Sequence, residues 1–201
     1  MHLLMITGFL GTGKTTLLLR LAEFARNHDK KVAILVNEIG DIGVDNQLMQ
    51  QLGFNVRELL GGCICCSLAG DVTDTLKELQ GEDQPDLVLL EPTGVADPKN
   101  LIQIINANKQ SFFKNLTKIA LIDPLRMDML MAVASPLILS TLELADVALI
   151  NKADAASPEE LKYTLKIVLK YVPDNRIITI SAKNELTDRL TRRLLPWIRL
   201  K

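Results

Sequence analysis

A glycine-rich segment near the start of the chain constrains the fold more than any other feature of the sequence. Its spacing, Gly8-x4-Gly13-Lys14-Thr15, is typical of a loop whose backbone N–H groups turn inward around phosphate oxygens. An apolar run over residues 3–7 precedes this phosphate loop, and an amphipathic stretch over residues 14–27 follows it. A strand, a phosphate loop and a helix in this order predict the first unit of a parallel α/β fold.

Further apolar runs of strand length alternate with amphipathic stretches along the rest of the chain. Their richness in Val, Ile and Leu indicates strands that are buried on both faces. We therefore expect an α/β fold of the three-layer P-loop NTPase type, with a mainly parallel sheet and helices on both faces. The predicted strands cover residues 31–37, 86–91, 116–123, 146–151 and 176–181, and the predicted helices lie near residues 71–80, 98–108, 158–171 and 185–195.

Size and charge limit the possible classes of protein. With 201 residues and 48% hydrophobic composition, the chain can bury one substantial core, so we expect a single domain over residues 1–201. The net charge is −1 with both signs mixed, which argues against nucleic acid or an anionic membrane as a partner. No apolar run approaches the roughly 20 residues that are needed to cross a bilayer. We expect a cytoplasmic protein.

Two segments are predicted to surround the phosphates of a nucleotide. In the phosphate loop, Lys14 would place its charge at the β- and γ-phosphates and Thr15 would offer its hydroxyl to Mg²⁺. At the end of the predicted strand 86–91, the Glu91 carboxylate could hold a metal-bound water or orient an attacking one. An ordinary strand followed by a proline turn is the alternative for that segment. The expected phosphate contacts are Gly8, Gly11, Thr12, Gly13, Lys14, Thr15, Thr16 and Gly94.

Two motifs at successive strand ends indicate which base is bound. Asn151-Lys152-Ala153-Asp154 would bring the two acceptor oxygens of Asp154 to the N1–H and exocyclic amine of guanine, a donor pair that adenine lacks. The Asn151 side chain and the Lys152 stem would brace the base and its loop. Ser181-Ala182-Lys183 could donate a backbone N–H to guanine O6. These motifs favour GTP and GDP over adenine nucleotides.

Three cysteines lie within four residues after two glycines, in Gly61-Gly62-Cys63-Ile64-Cys65-Cys66. Their spacing does not suit a zinc site of two separated pairs, but three thiolates can occupy one face of a tetrahedron if the backbone bends sharply. Glu38 is a candidate for a further ligand. Such a site prefers Zn²⁺ or another borderline-soft ion. The alternative is that these cysteines are small buried hydrophobic side chains.

These motifs together resemble those of the CobW-like GTPases, which are related to the nickel-insertion GTPases of hydrogenase and urease maturation. The resemblance covers most of the chain and includes the segments 8–16, 37–45, 61–66, 91–98 and 151–154. It implies a slow, Mg²⁺-dependent GTPase whose nucleotide state controls metal binding, with Zn²⁺, Co²⁺ or Ni²⁺ at Cys63, Cys65 and Cys66. Asp41 stands where the family often has Glu, so we expect it to position Mg²⁺ or the attacking water; Lys14, Asp41 and Glu91 are the catalytic candidates.

The resemblance also implies partners. Typical members carry a second, C-terminal domain, which we expect to be absent here, and many carry a histidine-rich segment, whereas this chain has His2 and His28 alone. A client metalloenzyme or cofactor-dependent enzyme, and a homodimer formed around nucleotide, are the expected partners. The leading hypothesis is a metallochaperone or maturation factor that transfers metal to the client. Two alternatives are a GTPase switch that gates cofactor loading or reactivation of a corrinoid or other metalloenzyme without carrying metal, and a small-molecule phosphotransferase.

Three methionines two residues apart, Met127, Met129 and Met131, might suggest a thioether copper site. On a helix this spacing places them on different sides, so we expect them to serve packing.

Overall fold

The structure of the protein is a computed structural model, which describes residues 1–36, 49–58, 74–92 and 98–198. These ranges contain a seven-stranded sheet in the order β3-β2-β4-β1-β5-β6-β7, in which every pairing is parallel. The predicted α/β class is confirmed. The strands are β1 (His2–Thr7), β2 (Val32–Val36), β3 (Asn55–Glu58), β4 (Leu87–Glu91), β5 (Asn115–Ile122), β6 (Val147–Ile150) and β7 (Ile177–Thr179).

Helices cover both faces of the sheet because successive residues of each central strand point to opposite sides. In β1, Leu4 and Ile6 join one cluster of buried side chains, whereas Leu3 and Met5 join another on the opposite face. The same alternation separates Ile119 from Ala120 in β5. Apolar burial on two faces explains the nearly continuous apolar runs of the sequence.

The helices in the described ranges follow the predicted amphipathic stretches, with differences at their ends. The first, α1, matches its predicted bounds, and its C-cap at His28 follows the last helical residue directly. The segment that begins in the predicted helix 71–80 continues as a π-helix at Leu79–Asp83. Besides short helical stretches at residues 49–51 and 74–78, the helices are α1 (Lys14–Asn27), α2 (Pro98–Phe112), α3 (Met127–Leu144), α4 (Pro158–Val168) and α5 (Asp188–Leu194).

Helix α3 corrects the expectation that no apolar run approaches the length needed to cross a bilayer. Together with the 3₁₀ turn before it, it forms a segment, Pro124–Leu144, of 21 residues that is apolar and long enough to cross a membrane by length and composition. The helix is interrupted at Ala134, whose φ/ψ values are non-helical, and it contains Pro136. Met127, Leu130, Ile138 and Leu142 are buried in a core cluster. Through these residues the helix packs on the sheet. Of the three methionines, Met127 is buried and Met129 is exposed, so they do not converge on one site.

The fold brings the loops that were predicted to bind nucleotide to one edge of the sheet. All seven strands are parallel, so their carboxyl ends lie at the same edge. Strand β1 is central, between β4 and β5, and the phosphate loop follows its last residue, Thr7. Open α/β sheets bind ligands at such an edge, where the order of the strands reverses.

Helix α4 begins with a capping box that fixes the end of the loop carrying Asp154. The Ser157 hydroxyl accepts the Glu160 N–H at 3.2 Å, and the Glu160 carboxylate accepts the Ser157 N–H at 2.8 Å. We expect Ser157→Ala to lower the free energy of unfolding by about 1 kcal/mol, because two backbone donors lose their partner geometry. Chemical denaturation monitored by circular dichroism measures this change. The exposed neighbour provides the control, since Glu159→Gln should change stability by less than about 0.5 kcal/mol; equal effects of the two variants would contradict the assignment.

Candidate nucleotide-binding site

The phosphate loop has a conformation that depends on glycine at three positions. Gly11 and Gly13 have φ angles of +73° and +95°, values that side chains disfavour. A Cβ atom at Gly13 would lie 2.6 Å from the Asn151 amide nitrogen, and one at Gly8 would lie 2.5 Å from the Leu121 carbonyl oxygen. The loop is therefore closed against strand β5 and against the residue that follows β6. This packing explains the glycine spacing of the sequence.

Within the loop, the backbone is held in a turn and leads directly into helix α1. The Thr12 N–H and hydroxyl both donate to the Phe9 carbonyl, at 3.2 Å and 2.9 Å. Gly13 is the N-cap of α1, and no side chain caps this helix end. Helix N-termini carry a partial positive charge from their unpaired N–H groups, which favours an anion at this position. Thr16, also predicted as a contact, is exposed on the first turn of α1.

The side chains of Lys14, Thr15 and Glu91 meet at the end of strands β1 and β4. The Lys14 ammonium lies 3.6 Å from one Glu91 carboxylate oxygen, and the Thr15 hydroxyl donates to the other at 3.3 Å. Lys14 is buried, with 6% of its side chain exposed, and it also donates to the Phe9 carbonyl at 3.5 Å. A hydroxyl and a carboxylate side by side are the hard oxygen donors that suit Mg²⁺. The structure thus brings together residues from the two segments that were predicted to surround the phosphates.

Asn151 connects the phosphate loop to both predicted base-binding motifs. Its buried side chain donates from Nδ2 to the Thr12 carbonyl at 2.8 Å and accepts the Ala182 N–H at its Oδ1, also at 2.8 Å. A backbone N–H of the segment Ser181-Ala182-Lys183 was expected to face guanine O6, and that of Ala182 is bonded to Asn151 in this structure. A buried amide with both ends paired fixes the positions of the groups that it joins. Asn151 holds three loops in one arrangement.

Asp154 is exposed beside Ser181 and Lys183, the neighbours that the two motifs predicted. The Ser181 side chain, and to a smaller extent the Lys183 ammonium at 4.0 Å, hold the pKa of the Asp154 carboxyl below its ordinary value. The Ser181 hydroxyl oxygen is buried and lacks a hydrogen bond of good geometry within the described residues, so it lies near Asp154 without being fully paired to it. Asp154 is therefore ionised at neutral and mildly acidic pH, and both of its oxygens can act as acceptors. An ionised carboxylate is the partner that the paired donors of guanine require.

A buried ion cluster beside the phosphate loop was not predicted from the sequence. It consists of Asp123, which is fully buried, with Arg126 Nε at 2.9 Å and Lys152 Nζ at 2.7 Å from one of its carboxylate oxygens. Lys152 was predicted only to brace the base and loop. The sequence does carry one signal, because Asp123 stands at the end of an apolar strand. An acidic side chain is rarely buried in such a place unless it is paired.

Several predicted residues lie outside the part of the chain that the structure describes. Among residues 1–36, 49–58, 74–92 and 98–198, no cluster of three or more His, Cys, Asp or Glu side chains could hold a metal ion. The predicted residues beyond these ranges are Glu38, Asp41, Cys63, Cys65, Cys66 and Gly94.

Comparison with known proteins gives a family match over most of the chain. The family profile described as "CobW/HypB/UreG, nucleotide-binding domain" matches residues 2–179. Two similar relatives come from Escherichia coli K12. The zinc chaperone YeiR is 33% identical over 156 residues, covering 77% of this chain and 47% of its own length, and the zinc chaperone YjiA is 35% identical over 163 residues, covering 78% and 50%. The chain thus spans about half the length of these curated relatives.

Solved structures show the same fold. The hydrogenase maturation factor HypB from Archaeoglobus fulgidus superimposes with a TM-score of 0.63 at 20% identity, covering 90% of this chain and 82% of HypB. The Zn(II)-bound YjiA GTPase from E. coli gives a TM-score of 0.63 at 24% identity, covering 94% of this chain and 60% of YjiA.

Gly13 and Gly53 provide a test of the contact between the phosphate loop and Asn151. Both have positive φ angles, but a Cβ atom at Gly53 would meet nothing within 4 Å. We expect Gly13→Ala to weaken GDP binding at least about tenfold, because displacing Asn151 costs more than about 1.4 kcal/mol. Gly53→Ala should destabilise the fold by about 1 kcal/mol through backbone strain and leave GDP affinity unchanged. Isothermal titration calorimetry measures both affinities, and normal GDP binding by Gly13→Ala would refute the predicted role of the contact.

Proposed function

This chain belongs to the CobW/HypB/UreG family of nucleotide-binding domains, and we propose that it is a GTPase that couples its nucleotide state to the handling of a transition metal. The observation that supports this proposal most directly is the meeting of phosphate-loop, carboxylate and guanine-motif residues at one sheet edge. Lys14, at the start of α1, meets Glu91, at the end of β4. Asn151 joins the loops that would hold phosphate and base.

The phosphate loop accounts for binding and hydrolysis of the triphosphate. Inward-facing N–H groups and the Lys14 ammonium would stabilise negative charge on the transferred phosphoryl group. The Thr15 hydroxyl and the Glu91 carboxylate are the described groups that would hold Mg²⁺, which neutralises phosphate charge when it is bound. Glu91 and Asp41 are the proposed groups for positioning the attacking water. The products would be GDP and inorganic phosphate.

Base selection would depend on the exposed carboxylate of Asp154. Guanine presents two adjacent donors, N1–H and the C2 amine, to a carboxylate with two acceptor oxygens. Adenine presents no such pair. Ser181 and Lys183 lower the pKa of the Asp154 carboxyl, and the Asn151 bridge fixes the distance between this loop and the phosphates. We propose that the protein prefers GTP and GDP for these reasons.

The register of three strands supports coupling between nucleotide and metal. Val36 of β2 is in register with Glu58 of β3 on one side and with Glu91 of β4 on the other. The chain therefore leaves β2 toward Glu38, and leaves β3 toward Cys63, from positions level with the Glu91 carboxylate. Glu58 and Cys63 are five residues apart, a span of at most about 18 Å. Cys63, Cys65 and Cys66, with Glu38, are the proposed ligands for Zn²⁺, Co²⁺ or Ni²⁺.

The two similar E. coli relatives are named zinc chaperones, and another relative, from Dictyostelium discoideum, is named a zinc-regulated GTPase metalloprotein activator. We propose by analogy that this chain supplies metal to a client metalloenzyme in the cytoplasm, and that its nucleotide-binding domain can form a homodimer around nucleotide. Transfer would follow hydrolysis, when loss of the γ-phosphate changes the arrangement of loops at the nucleotide edge.

The carboxylate of Asp154 gives a test of guanine recognition. Asp154→Asn should weaken GDP binding about 100-fold, since two hydrogen bonds to a charged acceptor contribute about 1.5 kcal/mol each. The same variant should bind xanthosine diphosphate more tightly than the parent does, because the new amide donates to the C2 carbonyl of xanthine and accepts from its N1–H. Competition against a fluorescent nucleotide measures both. Asp174→Asn, which removes an exposed carboxylate from the turn before β7, is the control, and unchanged base preference in Asp154→Asn would reject the assignment.

Metal coupling is tested by titrating Zn²⁺, Co²⁺ and Ni²⁺ into the GDP form and into a form with a non-hydrolysable GTP analogue. Sulfur-to-metal charge-transfer absorption of Co²⁺ reports thiolate binding. We expect the two nucleotide forms to differ in affinity, and Cys65→Ser to weaken binding at least about tenfold by removing one thiolate.

Met129→Leu is the matched control, since it removes an exposed soft sulfur from α3 and should leave metal affinity unchanged. Metal binding that ignores both nucleotide and Cys65 would exclude coupling at the cysteines. Client binding without stoichiometric metal would instead favour a GTPase switch.

A further inference from the structure

The phosphate loop is held from outside by the buried ion cluster of Asp123, Arg126 and Lys152. Asp123 has no exposed surface, and its carboxylate accepts from Arg126 Nε at 2.9 Å, from Lys152 Nζ at 2.7 Å and from the Leu125 N–H at 3.1 Å. Burial of a carboxylate is costly unless charges and hydrogen bonds compensate it. Here three donors do so, and two of them are cations.

Both cations of this cluster also contact the backbone of the phosphate loop. Arg126 Nη2 donates to the Leu10 carbonyl at 2.7 Å, and Lys152 Nζ donates to the Gly11 carbonyl at 2.8 Å. The guanidinium is packed closely on the loop, because a Cβ atom at Gly11 would lie 3.2 Å from Arg126 Nη2. Two successive carbonyl groups of the loop are therefore fixed by charged side chains that share one buried carboxylate.

The direction of a carbonyl determines the direction of the next N–H. In a planar trans peptide, the carbonyl oxygen and the following N–H point in opposite directions. The bond from Arg126 to the Leu10 carbonyl consequently sets where the Gly11 N–H points, away from Arg126. In a phosphate loop, N–H groups that point inward are the groups that bind the anion.

We propose that Arg126 is a positioning residue for phosphate binding, which acts by fixing the Leu10–Gly11 peptide and is itself fixed by Asp123. The proposal rests on the nucleotide site proposed above. Arg126 uses two different nitrogens of its planar guanidinium, one for Asp123 and one for Leu10. A lysine has one nitrogen on a flexible stem and does not reproduce this fork. Asp123 also holds Lys152 of the guanine motif, so the same carboxylate links the base loop to the phosphate loop.

The experiment compares Arg126→Lys and Arg126→Ala with the parent protein. Both variants should bind GDP about tenfold more weakly, since the fork is lost in each. Calorimetry gives the affinities, and thermal unfolding of the nucleotide-free proteins shows whether the fold is retained. Arg192→Ala, which removes an exposed arginine paired with Asp188 on α5, is the control and should bind GDP normally.

A second measurement separates positioning from direct contact with phosphate. In ¹H–¹⁵N spectra, GDP should shift the Gly11 amide proton of the parent downfield, and this shift should be lost in Arg126→Lys. If Arg126 instead touches the phosphate as a charge, Arg126→Lys will keep most of the affinity and the Gly11 shift, which overturns the proposal. Normal GDP binding by both variants also overturns it. Failure of the parent protein itself to bind GDP would refute the nucleotide site rather than the role of Arg126.

Discussion

The site depends above all on the side chain of one buried asparagine. Asn151 follows β6, yet its amide reaches the Thr12 carbonyl in the loop after β1 and the Ala182 N–H in the loop after β7. Each of these loops would otherwise expose unpaired backbone groups at the sheet edge. The contact is possible only because Gly13 has no Cβ in the space that the amide occupies. Parallel strands bring the three loops to one edge, and Asn151 fixes their spacing there.

The central strands and α1 could be predicted because their sequence patterns are strong. Leu17, Leu18, Leu21, Ala22 and Ala25 form the predicted buried stripe of α1, and the structure confirms them as buried. Strand β3 was missed because its sequence, Asn-Val-Arg-Glu, has no apolar run. It lies at the end of the described sheet and pairs there with one strand, β2. Helix α3 was not delimited because apolar residues occur on its exposed as well as its buried side, and such a segment lacks the period of an amphipathic helix.

The residues of the site were predicted where a local motif carries them and missed where only tertiary structure brings them together. Lys14, Thr15, Asn151 and Asp154 each belong to a short pattern with a known chemical role. Asp123 and Arg126 belong to no such pattern, and Asp123 is 29 residues from its partner Lys152 along the chain. Spacing within a motif does not reveal a contact of this kind, because the pairing of β5 with β6 creates it.

The lengths of the polar contacts distinguish the scaffold of the site from the groups that would meet a ligand. Bonds on the outer side of the phosphate loop, which involve Asp123 and Asn151, measure 2.7–3.1 Å. On the inner side, the contacts of Glu91 with Lys14 and Thr15 measure 3.6 Å and 3.3 Å, and the bond from Lys14 to Phe9 measures 3.5 Å. Charge-assisted bonds at optimal geometry are shorter than these inner contacts, so Lys14 and Thr15 can gain by exchanging Glu91 for phosphate oxygens and Mg²⁺. Glu91 would then hold the Mg²⁺ together with Thr15, at a strand end that is level with Val36 and Glu58. A change of partners at the Glu91 carboxylate is thus the adjustment that the proposed site would make when nucleotide and Mg²⁺ bind.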